Sequence, residues 1–215
     1  MEIHAPHRPI HSYTEMLVHL ALITLGVLIA LSFEGVASWR EHRALVREAR
    51  ANLTSEMRDN MKKLKERLEN VPTEAQNLDH AVDVVQALVD RKKFEDKSES
   101  VQLSFSSADL QNASHTTAEV TGAFGLMDYD EVKKYATVYW QQDLYMRFQN
   151  DGMQNMTRAL ATVGVFTRPE TASPRELEDC KAQIRVALAS LTAVEQLGRA
   201  LLKEYERVLD QRDHR

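Results

Sequence analysis

Met16–Trp39 reads MLVHLALITLGVLIALSFEGVASW, the one long and nearly uncharged apolar run in the chain. From Leu17 to Phe33 it holds no firmly charged residue, and Val36–Trp39 carries the apolar run past Glu34. A run of about 20 apolar residues, rising 1.5 Å each, spans a hydrocarbon core of roughly 30 Å. The stretch therefore reads as one transmembrane helix. Two other readings compete. A cleaved signal peptide needs a basic start and a small-residue cleavage site. Gly35-Val36-Ala37 offers the site, but Arg8 is the one firm positive charge before Met16. A buried core helix would shelter His19 and Glu34, which are costly in lipid, but core helices seldom run so far without charge.

Outward from this stretch the chain is polar and helical. Seven Gly and five Pro in 215 residues are few, which suits long helices with few turns. The formal net charge of -5 excludes a general basic footprint for nucleic acid. A single cysteine, Cys180, excludes an intrachain disulfide and a Cys-rich metal site. Residues 1–15 form a polar tail kept out of helix by Pro6 and Pro9. The expected organisation is an extended tail over 1–15, a transmembrane helix over 16–39 and a helical soluble domain over 40–215. The fold class is all-α, with the span continuing into a long helix and a membrane-anchored antiparallel bundle.

Beyond Trp39 no breaker appears before Asn70, so the helix is expected to run on. Val46, Ala49, Leu53, Met57, Met61, Leu64, Leu68 and Val71 recur at threes and fours as one apolar stripe. Pro72 is expected to end this helix, with Thr73 capping the next and Gln76 completing a capping box. Val101, Leu103 and Phe105 alternate with polar residues but lack a partner strand, so they read as a loop packed on the bundle. Ala108–Phe124 reads as a helix stopped by Gly125. Asp128 and Glu131 form a second capping box, opening a helix to about Val165 that Gly152 kinks. Its apolar face is read as Val132, Tyr135, Ala136, Tyr139, Leu144, Phe148 and Met156. Ser173, Pro174 and Glu176 open the last helix. Its stripe is Leu177, Ile184, Leu188, Leu191, Val194, Leu201, Leu202 and Val208.

The candidate functional residues lie on the span and at its exit. His19, Gly26, Ala30, Glu34 and Ala37 share one helical face, interrupted by Ile23. Small residues admit a second backbone and polar ones hydrogen-bond across the contact, so His19, Gly26, Ala30 and Glu34 are the expected intramembrane interaction face. Arg40, Arg43, Arg47 and Arg50 form a basic face suited to anionic head groups, or simply solvated. His4, His7 and His11 have spacing compatible with zinc or copper, although Pro6 and Pro9 stiffen the segment and no carboxylate joins it. A disordered tail is the preferred reading, and no cofactor is expected. His19 and Glu34 stand roughly 22 Å apart along a helix and do not pair within one chain. No nucleophile lies near a base and no phosphate-binding glycine loop occurs, so no catalytic activity is expected.

Two blocks carry a resemblance. Thr14–Arg43, TEMLVHLALITLGVLIALSFEGVASWREHR, and Thr117–Tyr139, TAEVTGAFGLMDYDEVKKYATVY, resemble a widespread bacterial family of uncharacterised single-span proteins. That family has a hydrophobic "GILIAL"-type anchor, an Arg-rich exit helix and a helical soluble domain, with no assigned activity. The resemblance implies a bacterial inner-membrane protein with its soluble domain in the periplasm. Counting Lys and Arg beside the span favours a cytoplasmic domain instead. Periplasmic placement is the expectation adopted. The functional expectation is a structural or interaction protein, an accessory subunit of a larger membrane complex or a homo-oligomer. Its partners are the lipid bilayer and other membrane-protein subunits or itself, and not nucleic acid. The alternative is a ligand-sensing or metal- or pigment-binding membrane module.

Overall fold

The computed structural model describes residues 13–90 and 101–213. The described chain is all-α, without a strand. It comprises α1 (Tyr13–Val89), α2 (Ala113–Val120), a 3-10 turn (Ala123–Leu126), α3 (Tyr129–Ala161), the single turn α4 (Gly164–Thr167), a second 3-10 turn (Pro169–Thr171) and α5 (Pro174–Asp213). Two compact units divide it, Met1–Glu48 and Ala49–Arg215. In the first unit the described part is the opening half of α1. In the second, the rest of α1 packs with α3 and α5 as a three-helix bundle.

Paired residues set the directions. Leu68 meets Gly198, Lys65 meets Glu206 and Gln86 meets Lys181, so α5 runs antiparallel to α1. It is antiparallel to α3 as well, with Gln142 on Tyr205 and Asn155 on Ser190. Helices α1 and α3 run parallel, since Arg50 meets Glu131, Glu56 meets Tyr139 and Asn60 meets Gln142. The chain between them must return along α1, and residues 101–112 do so as an extended strap. The stripe read on α1 is its core face: Leu53, Met57, Leu64, Leu68 and Val71 are buried. On α5 the residues read as its stripe that are buried are Leu177, Ile184, Leu191, Val194, Leu201 and Val208, joined by Cys180, Ala187, Tyr205 and Leu209. Each buried aliphatic there contributes about 1.5–3 kcal/mol of transfer free energy.

Several boundaries differ from the sequence reading, each for a local reason. Pro72 does not end α1 but lies within it. It removes the donor for the Leu68 carbonyl, but the flanking turns are held from both sides. Leu68, Val71 and Leu78 share one buried face, and Arg67 Nη2 lies 3.0 Å from Glu74 Oε2 across the proline. That pair is Coulombic in its geometry, not aligned as a hydrogen bond. The Arg67 guanidinium also sits 5.0 Å from the centre of the Phe105 ring. Thr73 and Gln76 therefore cap nothing, and the acidic Glu74 is buried in mid-helix.

Residues 108–112 are strap, and α2 starts only at Ala113. The stop falls at Gly122, not Gly125, because Gly122 adopts φ 74°, which L side chains resist. Asp128 is the N-cap of α3, but Glu131 makes no box with it because Arg50 takes its carboxylate. On α3, Ala136 and Phe148 are exposed, while Gln142 and Gln149 take core positions. Gly152 lies inside α3. A Cβ there would stand 3.0 Å from Phe105 Cζ, so the glycine makes room for the strap's aromatic ring. Ser173 and Glu176 form the full reciprocal capping box at the start of α5.

Arg67 is 1 % exposed and Glu74 5 %. Arg67→Met leaves Glu74 a buried, unpaired charge, which costs about 3–5 kcal/mol. Denaturant unfolding in mild detergent should register that loss as a lower midpoint with an unchanged slope.

Candidate functional site: the anchor face and the strap clamp

The anchor face is laid out on the first half of α1. His19, Gly26, Ala30 and Glu34 are all exposed. A Cβ built on Gly26 meets no atom within 4 Å. Ser32 Oγ donates to its own helix at the Leu28 carbonyl, 2.7 Å away, and so needs no outside acceptor. This is a helix long and apolar enough to cross a membrane, and none of its apolar window is buried within the chain. Leu22 and Phe33 are 70 % and 73 % exposed.

The four arginines after the span have separate fates. The Arg43 guanidinium lies 4.9 Å from the centre of the Trp39 ring, a cation–π contact at the exit of the apolar run. Arg40 and Arg47 are exposed. Arg50 is drawn into the bundle: its Nε and Nη2 donate to Glu131 Oε1 and Oε2 at 2.8 and 2.6 Å. The carboxylate raises its already high pKa, so the fork stays charged. Of the four, Arg40, Arg43 and Arg47 are the ones left exposed. His4, His7 and His11 lie outside the described residues.

The second unit contains a site that periodicity did not single out. The strap crosses the groove beside α1 and α3, and side chains there grip its backbone. Gln149 Nε2 donates to the Ala108 carbonyl at 2.9 Å, while the Ala108 N–H donates to Gln149 Oε1 at 2.8 Å. Three residues on, Asn60 Nδ2 donates to the Gln111 carbonyl at 2.7 Å, and the Gln111 N–H donates back to Asn60 Oδ1 at 2.8 Å. Each amide satisfies one residue's backbone pair as a neighbouring strand would. Glu74 Oε1 accepts from Ser106 N–H and Oγ, and Glu56 Oε2 accepts from Ser114 N–H. Lys63 donates to the Asp109 carbonyl.

Tyrosines complete the clamp. Tyr205 Oη donates to Gln142 Oε1 at 2.5 Å and Tyr145 Oη to Gln149 Oε1 at 3.0 Å. Burial pushes the Tyr145 phenol up to about 12 and raises Tyr139 and Tyr205 further, so all three remain protonated donors. The His115 ring lies tilted against Tyr139 and Phe124, with ring centres 4.5 and 5.1 Å away, and burial lowers its pKa, favouring the neutral ring. Cys180 is fully buried and burial raises its thiol, which suits packing and not nucleophilic attack. Among the described residues no group of three His, Cys, Asp or Glu gathers to hold a metal.

A signal for the clamp was present. Asn60, Arg67 and Glu74 stand seven residues apart along the α1 stripe, and Gln142 and Gln149 do so on α3 between Tyr135 and Met156. Polar residues repeating at core positions announce a buried partner, which only the fold identifies as backbone.

These features define a helical bundle protein whose long first helix carries one segment able to cross a membrane. No protein-family model, curated protein or solved structure matches the chain.

Gln149→Ala strands the N–H and carbonyl of Ala108 in the interior, at a cost of about 1–3 kcal/mol for each unsatisfied group. Amide hydrogen exchange should accelerate at Ala108 and Gln111 well before it does on α5. Unchanged protection there would mean the strap is held by Phe105 packing alone.

Proposed function

We propose that this chain is a membrane-anchored interaction protein, an accessory subunit of a larger membrane complex or a homo-oligomer, with no catalytic activity of its own. One observation carries the reading. The bundle of Ala49–Arg215 completes its core without Met16–Trp39, while that segment offers unburied apolar side chains along its length. Apolar surface on that scale has to be covered by lipid or protein. Leucine-rich positions suit lipid. The Gly26–Ala30 step, with His19 a turn inside the run and Glu34 beyond it, suits a second helix approaching closely.

The resemblance of Thr14–Arg43 and Thr117–Tyr139 to single-span bacterial proteins supports the inner membrane as the location and the periplasm as the side of the bundle. In this reading Arg40, Arg43 and Arg47 contact head groups at the exit, and Trp39 under Arg43 marks the interface, where tryptophan is enriched.

Replacing Gly26 and Ala30 together by Leu should abolish a crosslinked or native-mass assembly in mild detergent while the bundle's helicity is retained. An unaltered assembly would reduce the segment to a plain anchor. The side of the membrane is tested with Ala182→Cys, an exposed position on α5, against the silent background of buried Cys180. A membrane-impermeant maleimide should label intact cells. Labelling only after lysis would place the bundle in the cytoplasm.

A further inference from the structure

One end of the bundle carries large apolar side chains that the fold leaves uncovered. Val120, the last residue of α2, is 81 % exposed, and Tyr129, the first of α3, is 80 % exposed. Leu126, in the 3-10 turn between them, is 41 % exposed. These three lie on one corner of ten residues, and its place in the bundle follows from the contacts.

The strap and α2 run backward along α1. Ser106 meets Glu74, Asp109 meets Lys63, Gln111 meets Asn60 and Ser114 meets Glu56. Helix α2 continues in that direction, and α3 starts its parallel course with Glu131 on Arg50. The corner therefore sits at the end of the bundle where the chain enters it. Arg50 is eleven residues beyond Trp39, a reach of at most roughly 40 Å even if fully extended. The opposite end of the bundle lies the 33 residues of α3 away from this corner, about 50 Å of helix.

We infer that the corner, through Val120, Leu126 and Tyr129, rests in the head-group layer of the bilayer that holds the anchor. The inference builds on the membrane reading of Met16–Trp39. Tyrosine favours that layer because its ring is apolar and its hydroxyl stays wet. The contact needs little intrinsic affinity, because the tether makes it intramolecular at high effective concentration. Its character is apolar: Glu119, Asp128 and Asp130 are exposed on the same corner and would be repelled by anionic lipid. The basic attraction is left to Arg40, Arg43 and Arg47 on the anchor side.

The test uses the full chain with Cys180→Ala, reconstituted in vesicles of zwitterionic phosphatidylcholine. An environment-sensitive fluorophore is attached in turn at Leu25→Cys, Val120→Cys and Ala182→Cys. Nitroxide-bearing lipids report depth by quenching. The expected result is deep quenching at Leu25, interfacial quenching with a blue-shifted emission at Val120, and a water-like signal at Ala182. Adding Leu126→Asp and Tyr129→Asp should return the Val120 signal to that of Ala182. A water-like Val120 beside a lipid-embedded Leu25 overturns the corner contact alone. A water-like Leu25 overturns the membrane reading and this inference with it.

Discussion

The pairing of two buried side-chain amides with two backbone residues, Gln149 with Ala108 and Asn60 with Gln111, is the constraint the bundle depends on. Helices satisfy their own backbone, but an extended strap against a core brings N–H and carbonyl groups that must find partners or cost free energy. Amides on α1 and α3 supply them. Because the strap is held in this way, the chain can return along α1, and α3 can then start beside Arg50 and run parallel to α1. Helix α5 closes the remaining side, approaching near enough at Gly198 that a Cβ would meet Leu68 Cδ2 at 3.0 Å.

Charge inside this bundle is placed with the same economy. Arg67 and Glu74 bracket Pro72, and Glu74 also accepts from Ser106, so one carboxylate joins the two halves of α1 and the strap. A buried ion pair alone is weak evidence for stability, since desolvation offsets its attraction. Here its consequence is structural. It supports the turns on either side of a residue that ordinarily breaks a helix, and it draws Phe105 into the space that Gly152 leaves open.

The division of labour between the two units follows from what each buries. Among the described residues of Ala49–Arg215 most large apolar side chains are internal, apart from a few on the outer face of α3, Val186 on α5 and those at the α2–α3 corner. The first unit buries none of its apolar window. The surface left bare on the first half of α1 includes His19, Gly26, Ala30 and Glu34, the residues on which the proposed interaction rests.

The all-α class, the apolar segment, the stripes on α1 and α5 and the helix start at Ser173 and Pro174 were legible in the amino-acid sequence, because each is a local property of periodicity, composition or end-capping residues. Other features needed tertiary structure. Pro72 was legible as a breaker, yet distant packing and Arg67 outweigh its local cost. Glu131 was legible as a cap, yet Arg50, 81 residues earlier, offers two charged hydrogen bonds where Asp128 offers one. Gln142 and Gln149 stand at apolar-stripe positions that hydrophobic periodicity passes over, whereas an amide goes inward once a backbone waits for it. Periodicity measures what a side chain avoids. Only the assembled fold shows what it can bond.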